Sequence, residues 1–424
     1  MGFDLLNRIV LRWDSDSNCA PFLETGGIEV VLLRTSDDRV AAACRAAGAQ
    51  TLPAAAIRLI GLEGAGRVGP GALVAVKAGV WPGAQATSRT AGGGFSAGAS
   101  QRAWVNANGY LPALLRALYP GLAPVLGYLP DSDAGISAGT MIAYDSLELA
   151  LIDAWAGGGN YILTPDAALR DALASGDAAA REAWQQMGRT AGWLKEQQAL
   201  FRQPPLPAIT VLVEPGETTA EIAALMFRQS VSPELVAATR IPAPDPLRRP
   251  VVVVAAGIRP PGPEARKLLV SHAHAGATVV TDTEPGEWWQ VPGLKRVREF
   301  EDREFYALGA GRVVAYKQAV LDPGDFALDV LDLAGERRPV RIWDSPAGVA
   351  TVSQAGPRAK PVLRVVNYGS AARADVMAHV RGVFSSATLL RPDGQARPLR
   401  TYRRGQTTEV MLPGLKRVAL VLFN

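Results

Sequence analysis

Cysteine and histidine are scarce in this chain of 424 residues. There are two cysteines, Cys19 and Cys44, and three histidines, His272, His274 and His379. No CxxC pair and no Cys/His cluster occurs, so no structural zinc site is expected. A single disulfide stays open on sequence alone. All three histidines fall in the second half, which leaves the first two hundred residues without an imidazole base for nucleophilic chemistry. His272 and His274 sit near the end of an expected helix, where a cation is favourable and no further role is needed. Charge is sparse too, at 20% of residues with a net +4. The arginines of the C-terminal third are scattered singly, which reads as solvated surface and not as a stripe for nucleic acid. No apolar run reaches the roughly 20 residues that cross a bilayer, so no membrane partner is expected. The opening residues lack the charged and apolar regions of a signal peptide. As written the protein is placed in the cytoplasm; if an export signal was trimmed from its front, it is secreted or periplasmic. No GxSxG elbow and no glycine-rich phosphate loop with lysine is found, and Glu63-Gly64-Ala65-Gly66 is too short and misplaced for a dinucleotide fingerprint. Neither a metal nor a cofactor is expected.

What the chain does have is apolar surface. Hydrophobic residues make up 48%, with 43 glycines and 31 prolines, enough for full-sized cores and against disorder. Its length predicts two or three domains.

The stretch from Met141 to Asp166 sets the pattern. An apolar run reaches Tyr144, then Asp145 and Ser146 can cap a helix carrying Leu147, Leu149, Leu151, Ile152 and Trp155. Gly157-Gly158-Gly159 stops that helix, and Tyr161 begins another strand. Short apolar runs that read as strands fall at 8–13, 28–33, 57–62, 72–76, 102–105, 124–128, 140–144 and 161–163, with helices at 37–47 and 111–119 and one or two closing helices over 165–202. Eight strands with crossovers match a compact (β/α)8 TIM barrel over residues 1–203; an open doubly wound sheet is the alternative. Residues 83–100, rich in Gly, Ala, Ser and Thr, form a loop over the mouth in this reading.

In a barrel the chemistry gathers where strands end. Those ends supply Arg12, Trp13, Asp14 and Asp16; Arg34; Glu63; Lys77 and Trp81; Trp104, Asn106, Asn108 and Tyr110; Tyr128, Asp131 and Asp133; Tyr144, Asp145 and Glu148; Thr164 and Asp166. Carboxylates and amides hydrogen-bond hydroxyls, and Trp and Tyr stack on pyranose faces, so this is the composition of a sugar site. Each residue also has a plainer reading. Asp145 and Asp166 are good caps, Glu148 suits a helix dipole, Arg12 and Asp14 suit an ion pair, and Asp131 and Asp133 suit a turn. Without histidine, carboxylate chemistry remains: one acid protonates a glycosidic oxygen while another attacks the sugar or activates water.

Pro204-Pro205-Leu206-Pro207 reads as a stiff linker. Beyond it, strands at 209–213, 235–239, 251–255, 278–281 and 312–316 alternate with helices at 219–229 and 263–275, the mark of a parallel sheet covered on both faces. Residues 204–322 are therefore read as a flavodoxin-like or amidotransferase-like α/β domain; with no cysteine in it, amidotransferase chemistry is absent. From 323 a short helix at 324–333 precedes alternating runs at 340–343, 348–352, 362–367, 386–390, 408–412 and 418–423, which read as an antiparallel β-sandwich over 323–424.

In that order of domains, and in the runs VVVVAAG, ATVVTD and LRVVNYGS, the chain resembles the β-galactosidases of glycoside hydrolase family 42. The resemblance implies a catalytic barrel, an amidotransferase-like trimerisation domain and a small β domain, hence a homotrimer acting on carbohydrate. The chain departs from the family. Its barrel is far shorter, its fourth strand ends at Lys77 and not at Asn-Glu, and the family's cysteine metal cluster has no counterpart. Asp145 matches the family nucleophile by position only. The resulting expectation is a glycoside hydrolase with Asp145 as nucleophile or base and Asp131 or Glu63 as acid. Arg12, Asp14, Arg34, Lys77 and Asn106 would orient the substrate, with Trp81 and Tyr128 as stacking platforms. A non-catalytic carbohydrate-binding or assembly protein on a degenerate barrel is the competing reading, and a lyase or isomerase on the barrel the third.

Overall fold

The computed structural model describes residues 4–34, 37–69, 71–77, 79–85, 104–130, 142–206, 208–245, 250–320, 322–356 and 359–424. The first sheet is parallel throughout. Its strands are β1 (Val10–Trp13), β2 (Val30–Leu33), β3 (Gln50–Pro53), β4 (Arg58–Ile60) and β5 (Val74–Val76). A short antiparallel ribbon of β6 (Gly83–Gln85) and β7 (Trp104–Asn106) stands apart, and β8 (Val125–Gly127) and β9 (Asn160–Leu163) complete the sheet. Between and after the strands run α1 (Ala20–Leu23), α2 (Asp38–Ala46), α3 (Tyr110–Leu118), α4 (Ser146–Ala156), α5 (Ala167–Ser175), α6 (Ala178–Glu196) and α7 (Gln198–Phe201).

From edge to edge the order is β3-β2-β1-β9-β8-β5-β4. Laid on a ring, that is chain order, and the two edges are strands consecutive in sequence. Side chains alternate between the faces of a strand. On one face Val10, Val30, Leu32, Leu52, Leu59, Ala75, Val125 and Ile162, drawn from all seven strands, form one apolar cluster that contains no α-helical residue. On the other face Leu11, Trp13, Val31, Leu33, Val76, Leu126, Tyr161 and Leu163 pack with the helices. A sheet face buried without a covering helix must curl over itself, so this is a curled, TIM-barrel-like sheet.

Two of the strands expected from sequence are displaced. The run at 102–105 contributes β7, which joins the ribbon; β5 pairs directly with β8 through Val76 and Leu126, so no slot lies between them. Residues 142–144 form no strand, and β8 pairs directly with β9. Thr140 and Met141 lie outside the described residues, as do residues 86–100 of the expected mouth loop. In compensation β3, Gln-Thr-Leu-Pro on a half-exposed edge, carries too little apolar signal to be read as a strand. Among the described residues the sheet therefore has seven strands where eight were expected.

The second sheet holds β10 (Ile209–Val213), β11 (Glu234–Ala237), β12 (Val252–Ala255), β13 (Thr278–Thr281), β14 (Lys295–Glu299), β15 (Arg303–Leu308) and β16 (Gly311–Tyr316), with α8 (Glu217–Arg228) and α9 (Pro263–His274). Its order is β11-β10-β12-β13-β16-β15-β14. The five parallel strands follow the 2-1-3-4-5 doubly wound order. The strands β15 and β14 extend it antiparallel, and β14, wholly exposed and charged, escapes apolar pattern reading.

After α10 (Pro323–Ala334) come β17 (Val340–Trp343), β18 (Gly348–Ser353), β19 (Val362–Asn367), β20 (Arg373–Arg381), β21 (Ala387–Arg391), β22 (Gly394–Leu399), β23 (Thr401–Arg404), β24 (Thr407–Leu415) and β25 (Val418–Phe423). They form antiparallel sheets β17-β20-β24-β23 and β18-β19-β25-β21-β22. Val352, Leu363, Val365, Ala378, Val380, Val410, Leu412 and Val421 fill the space between them.

The opposite face of β19 and β25 meets the first sheet's helices: Val362, Val366, Val418 and Leu420 share a core with Leu151, Ile152 and Trp155 of α4. Arg364 of β19 is buried there and donates to Ala156 O (2.8 Å) and Gln203 O (3.0 Å), so it satisfies a carbonyl at the buried C-terminal end of α4. The linker is stitched down as well, with Leu206 N donating to Val352 O and Gln354 N to Pro204 O, both at 2.9 Å.

Candidate functional site at the strand ends

The concave cluster fixes which side chains stand over it. Two residues beyond Val10, Leu32, Leu59, Ala75 and Ile162 on the same faces come Arg12, Arg34, Gly61, Lys77 and Thr164. Arg12 Nε donates to Asp14 Oδ2 at 2.8 Å, and each side chain is 19% exposed. The other oxygen, Asp14 Oδ1, is buried and has no hydrogen-bond partner among the described residues. Arg34 lies 3.7 Å from Asp16 in an open pair. Lys77 is exposed. Glu63 sits on a six-residue 3-10 segment, Leu62–Arg67, and its carboxylate folds back over Gly61, where any Cβ would collide with it.

Asp145 begins α4 but makes no capping bond; its Oδ2 instead accepts from Arg417 Nη2, and Arg417 Nη1 donates to Gly369 O at 2.7 Å. The Asp145 side chain stays 46% exposed. The sandwich thus holds one carboxylate oxygen while leaving the residue open to solvent. Asp166 does cap its helix, accepting from Leu169 N at 2.8 Å. Glu148 is committed elsewhere: it is buried, and it accepts from Thr190 Oγ1 and from Gln186 Nε2 (3.2 Å), tying α4 to α6.

Two of the expected substrate contacts are enclosed. Tyr128 is 4% exposed, and its ring packs 5.9 Å from Tyr161 on the helix-facing side of the sheet, so it offers no stacking surface at the mouth. Asn106 is buried at the end of β7. Trp81 is half-buried and borders a small cleft with Tyr144, Thr164 and Asp166. That cleft encloses about 10 Å³, the room of one water and not of a pyranose. Asp131 and Asp133 lie outside the described residues. The structure therefore gathers Arg12, Asp14, Arg34, Lys77 and Thr164 on one rim, and it sets Asp145 beside the sandwich.

Sequence reasoning misses a fully enclosed acid. Asp153, inside α4, accepts from Asn108 N (2.7 Å), Gly109 N (3.0 Å) and Tyr368 Oη (2.5 Å). Burial raises its pKa from 3.8 to about 6, against the opposing pull of those donors, Tyr368 first. A signal for it is present: one Asp in a helix whose residues from Leu147 to Ala156 are all buried. It joins α4, the α3 entry and the sandwich, and it is a joint and not a catalytic group.

The second sheet reverses its strand order between the hydrogen-bonded neighbours β10 and β12, and the end of such strands is the usual ligand position. Side chains of the chain itself occupy it. Glu214 accepts from Arg259 N (3.0 Å) and Nε (3.1 Å), and Asp282 accepts from Gly257 N (3.1 Å) and Val320 N (3.3 Å). Burial raises the Asp282 pKa.

In fold the chain is similar to solved glycoside hydrolases. The chain superposes on α-L-fucosidase isoenzyme 2 from Paenibacillus thiaminolyticus with a TM-score of 0.50 at 10% identity, covering 98% of this chain and 77% of that one. It superposes equally, with a TM-score of 0.50 at 10% identity, on the catalytic mutant of a family 42 β-galactosidase from G. stearothermophilus, covering 86% of this chain. It spans 61% of that β-galactosidase chain. The likeness expected from sequence thus holds at the level of the fold. No family model matches the chain. No curated protein matches it by sequence.

Proposed function

We propose that the chain acts on a carbohydrate at the C-terminal mouth of its curled parallel sheet, as a glycoside hydrolase. The observation that supports this best is the half-exposed Asp145 carboxylate at the head of α4, with one oxygen held by Arg417. Such a group can attack an anomeric carbon or activate a water. Asp131 or Glu63 supplies the acid in this reading. Arg12, Asp14, Arg34 and Lys77 orient the substrate, and Trp81 is the remaining stacking side chain. Lys77, and Arg34 in its open pair with Asp16, suit a sugar bearing a carboxylate. The reading includes closure of the first sheet into a barrel between its β3 and β4 edges, boundaries after residues 203 and 322, an amidotransferase-like middle domain and a homotrimer.

A specific observation favours the non-catalytic alternative. The cleft at Trp81 is too small for a sugar ring, so a saccharide would lie over the rim. Aryl-glycosides and oligosaccharides, neutral and uronate, decide between the two. Hydrolysis by the wild type that falls at least about 100-fold in Asp145→Asn supports the hydrolase. Undiminished turnover in Asp145→Asn removes Asp145 from the chemistry, and saccharide binding without turnover supports the alternative.

A further inference from the structure

The sandwich carries a second feature that the barrel does not explain. Between residues 340 and 424 there are thirteen Lys and Arg against four Asp and Glu, in a chain whose net charge is only +4. Two of those four acids are already engaged: Asp393 pairs with Arg391 and Lys416, and Glu409 with Arg404 and His379. At one end of the sandwich an open groove of about 700 Å³ lies between the β18–β19 connection and the β20–β21 connection. Lys360, Arg381 and Arg403 line it, all exposed, with no Asp or Glu among the described lining residues. Even with a carboxylate at Asn424 the lining stays net positive. Among the described residues none of the three cations pairs with an acid; Arg381 Nη1 donates to Arg337 O at 3.2 Å and Arg403 Nε to Gly405 O at 3.1 Å.

We propose that this groove binds a segment of acidic polysaccharide, with Lys360, Arg381 and Arg403 taking its carboxylates. The groove has the size of a ligand site. Val383, 48% exposed, offers an apolar surface to sugar C–H groups, and Ser385 Oγ, which donates to Asn424 O at 3.2 Å, can accept from a sugar hydroxyl. A nucleic acid would need an open aromatic face for its bases. The ring of Phe384 is half-buried and lies 4.8 Å from Phe423, so that platform is missing. The inference shares the carbohydrate class with the proposed function and is independent of hydrolysis.

The test is calorimetry on the full chain with hexagalacturonate, at low and at 0.5 M salt, beside a neutral hexasaccharide and a twelve-residue single-stranded DNA. The expected result is hexagalacturonate binding that weakens with salt and falls about tenfold or more in Lys360→Gln/Arg403→Gln. The same loss is expected in an Arg34→Gln/Lys77→Gln background, which removes the exposed cations of the barrel mouth and so separates the groove from it. Unchanged melting shows that the double variant is folded; were it to unfold, each single variant is measured instead. Absence of binding, equal binding by the double variant, equal binding of the neutral sugar, or tighter binding of the DNA each overturns the proposal.

Discussion

Replacing Tyr368 by phenylalanine removes one hydroxyl from a fully enclosed joint. Asp153 and Tyr368 are 1% and 2% exposed, and the hydroxyl is one of three donors to the carboxylate. A hydrogen bond to a charged group contributes about 1.5–3 kcal/mol, and one to a neutral group about 0.5–1.5. The folded pKa of Asp153, about 6, lies above its ordinary 3.8. The folded state therefore binds the proton more tightly than the unfolded chain does. The stability this group contributes is fully present below pH 3.8 and is lost as pH rises to about 6, by roughly 3 kcal/mol. Tyr368 opposes that rise in pKa, so its loss pushes the folded pKa higher and deepens the fall. Urea denaturation of wild type and Tyr368→Phe at intervals from pH 4 to pH 8 isolates the effect, because other carboxylates cancel in the difference. The destabilisation should grow from about 1 kcal/mol at pH 4 to about 2–3 at pH 7. A difference that stays flat across the range, or shrinks as pH rises, refutes the reasoning.

Two glycines of α6 make a matched pair. Gly188 lies against the backbone of Thr25 and Gly26, so Gly188→Ala should cost about 1–3 kcal/mol, whereas Gly192→Ala meets nothing within 4 Å and should gain up to about 1 kcal/mol of helix stability; thermal melts of both decide it. Cys19 and Cys44 are free thiols, buried with their sulfurs 3.4 Å apart, and burial raises both thiol pKa values. A thiol reagent at pH 8 should label neither in the native protein within minutes and both in urea; rapid native labelling would show the α1–α2 contact to be open.

Much of the fold was legible because its strands announce themselves. Strands β10, β13, β17, β19 and β25 stand at the bounds their apolar runs indicate. The strands that escaped were those whose stability comes from pairing and not from burial, such as β14, with every residue exposed, and β22, exposed over most of its length. Runs read too generously failed for the converse reason. Residues 142–144 are apolar, but a strand's place is set by its neighbours, and β8 and β9 already hold each other.

The site was less legible, because a sequence shows which polar residues end a strand and not what they meet. Glu148, one turn past Asp145, is tied to α6, and Tyr128 turns to the helix side because it follows inward-facing Gly127 by one residue. Asp145 meets Arg417, 272 residues away, a pairing no local pattern contains. Its consequence reaches back to the chemistry. An acid held by a neighbouring sheet is positioned only while that sheet is docked, and docking rests on the Asp153–Tyr368 and Arg364–Ala156 contacts beneath it. Loosening that joint should therefore disturb the geometry at Asp145 without touching any residue at the mouth. Tyr368→Phe, assayed while still folded on any glycoside the wild type hydrolyses, should turn over more slowly; an unchanged rate would show that the joint does not hold Asp145 in place.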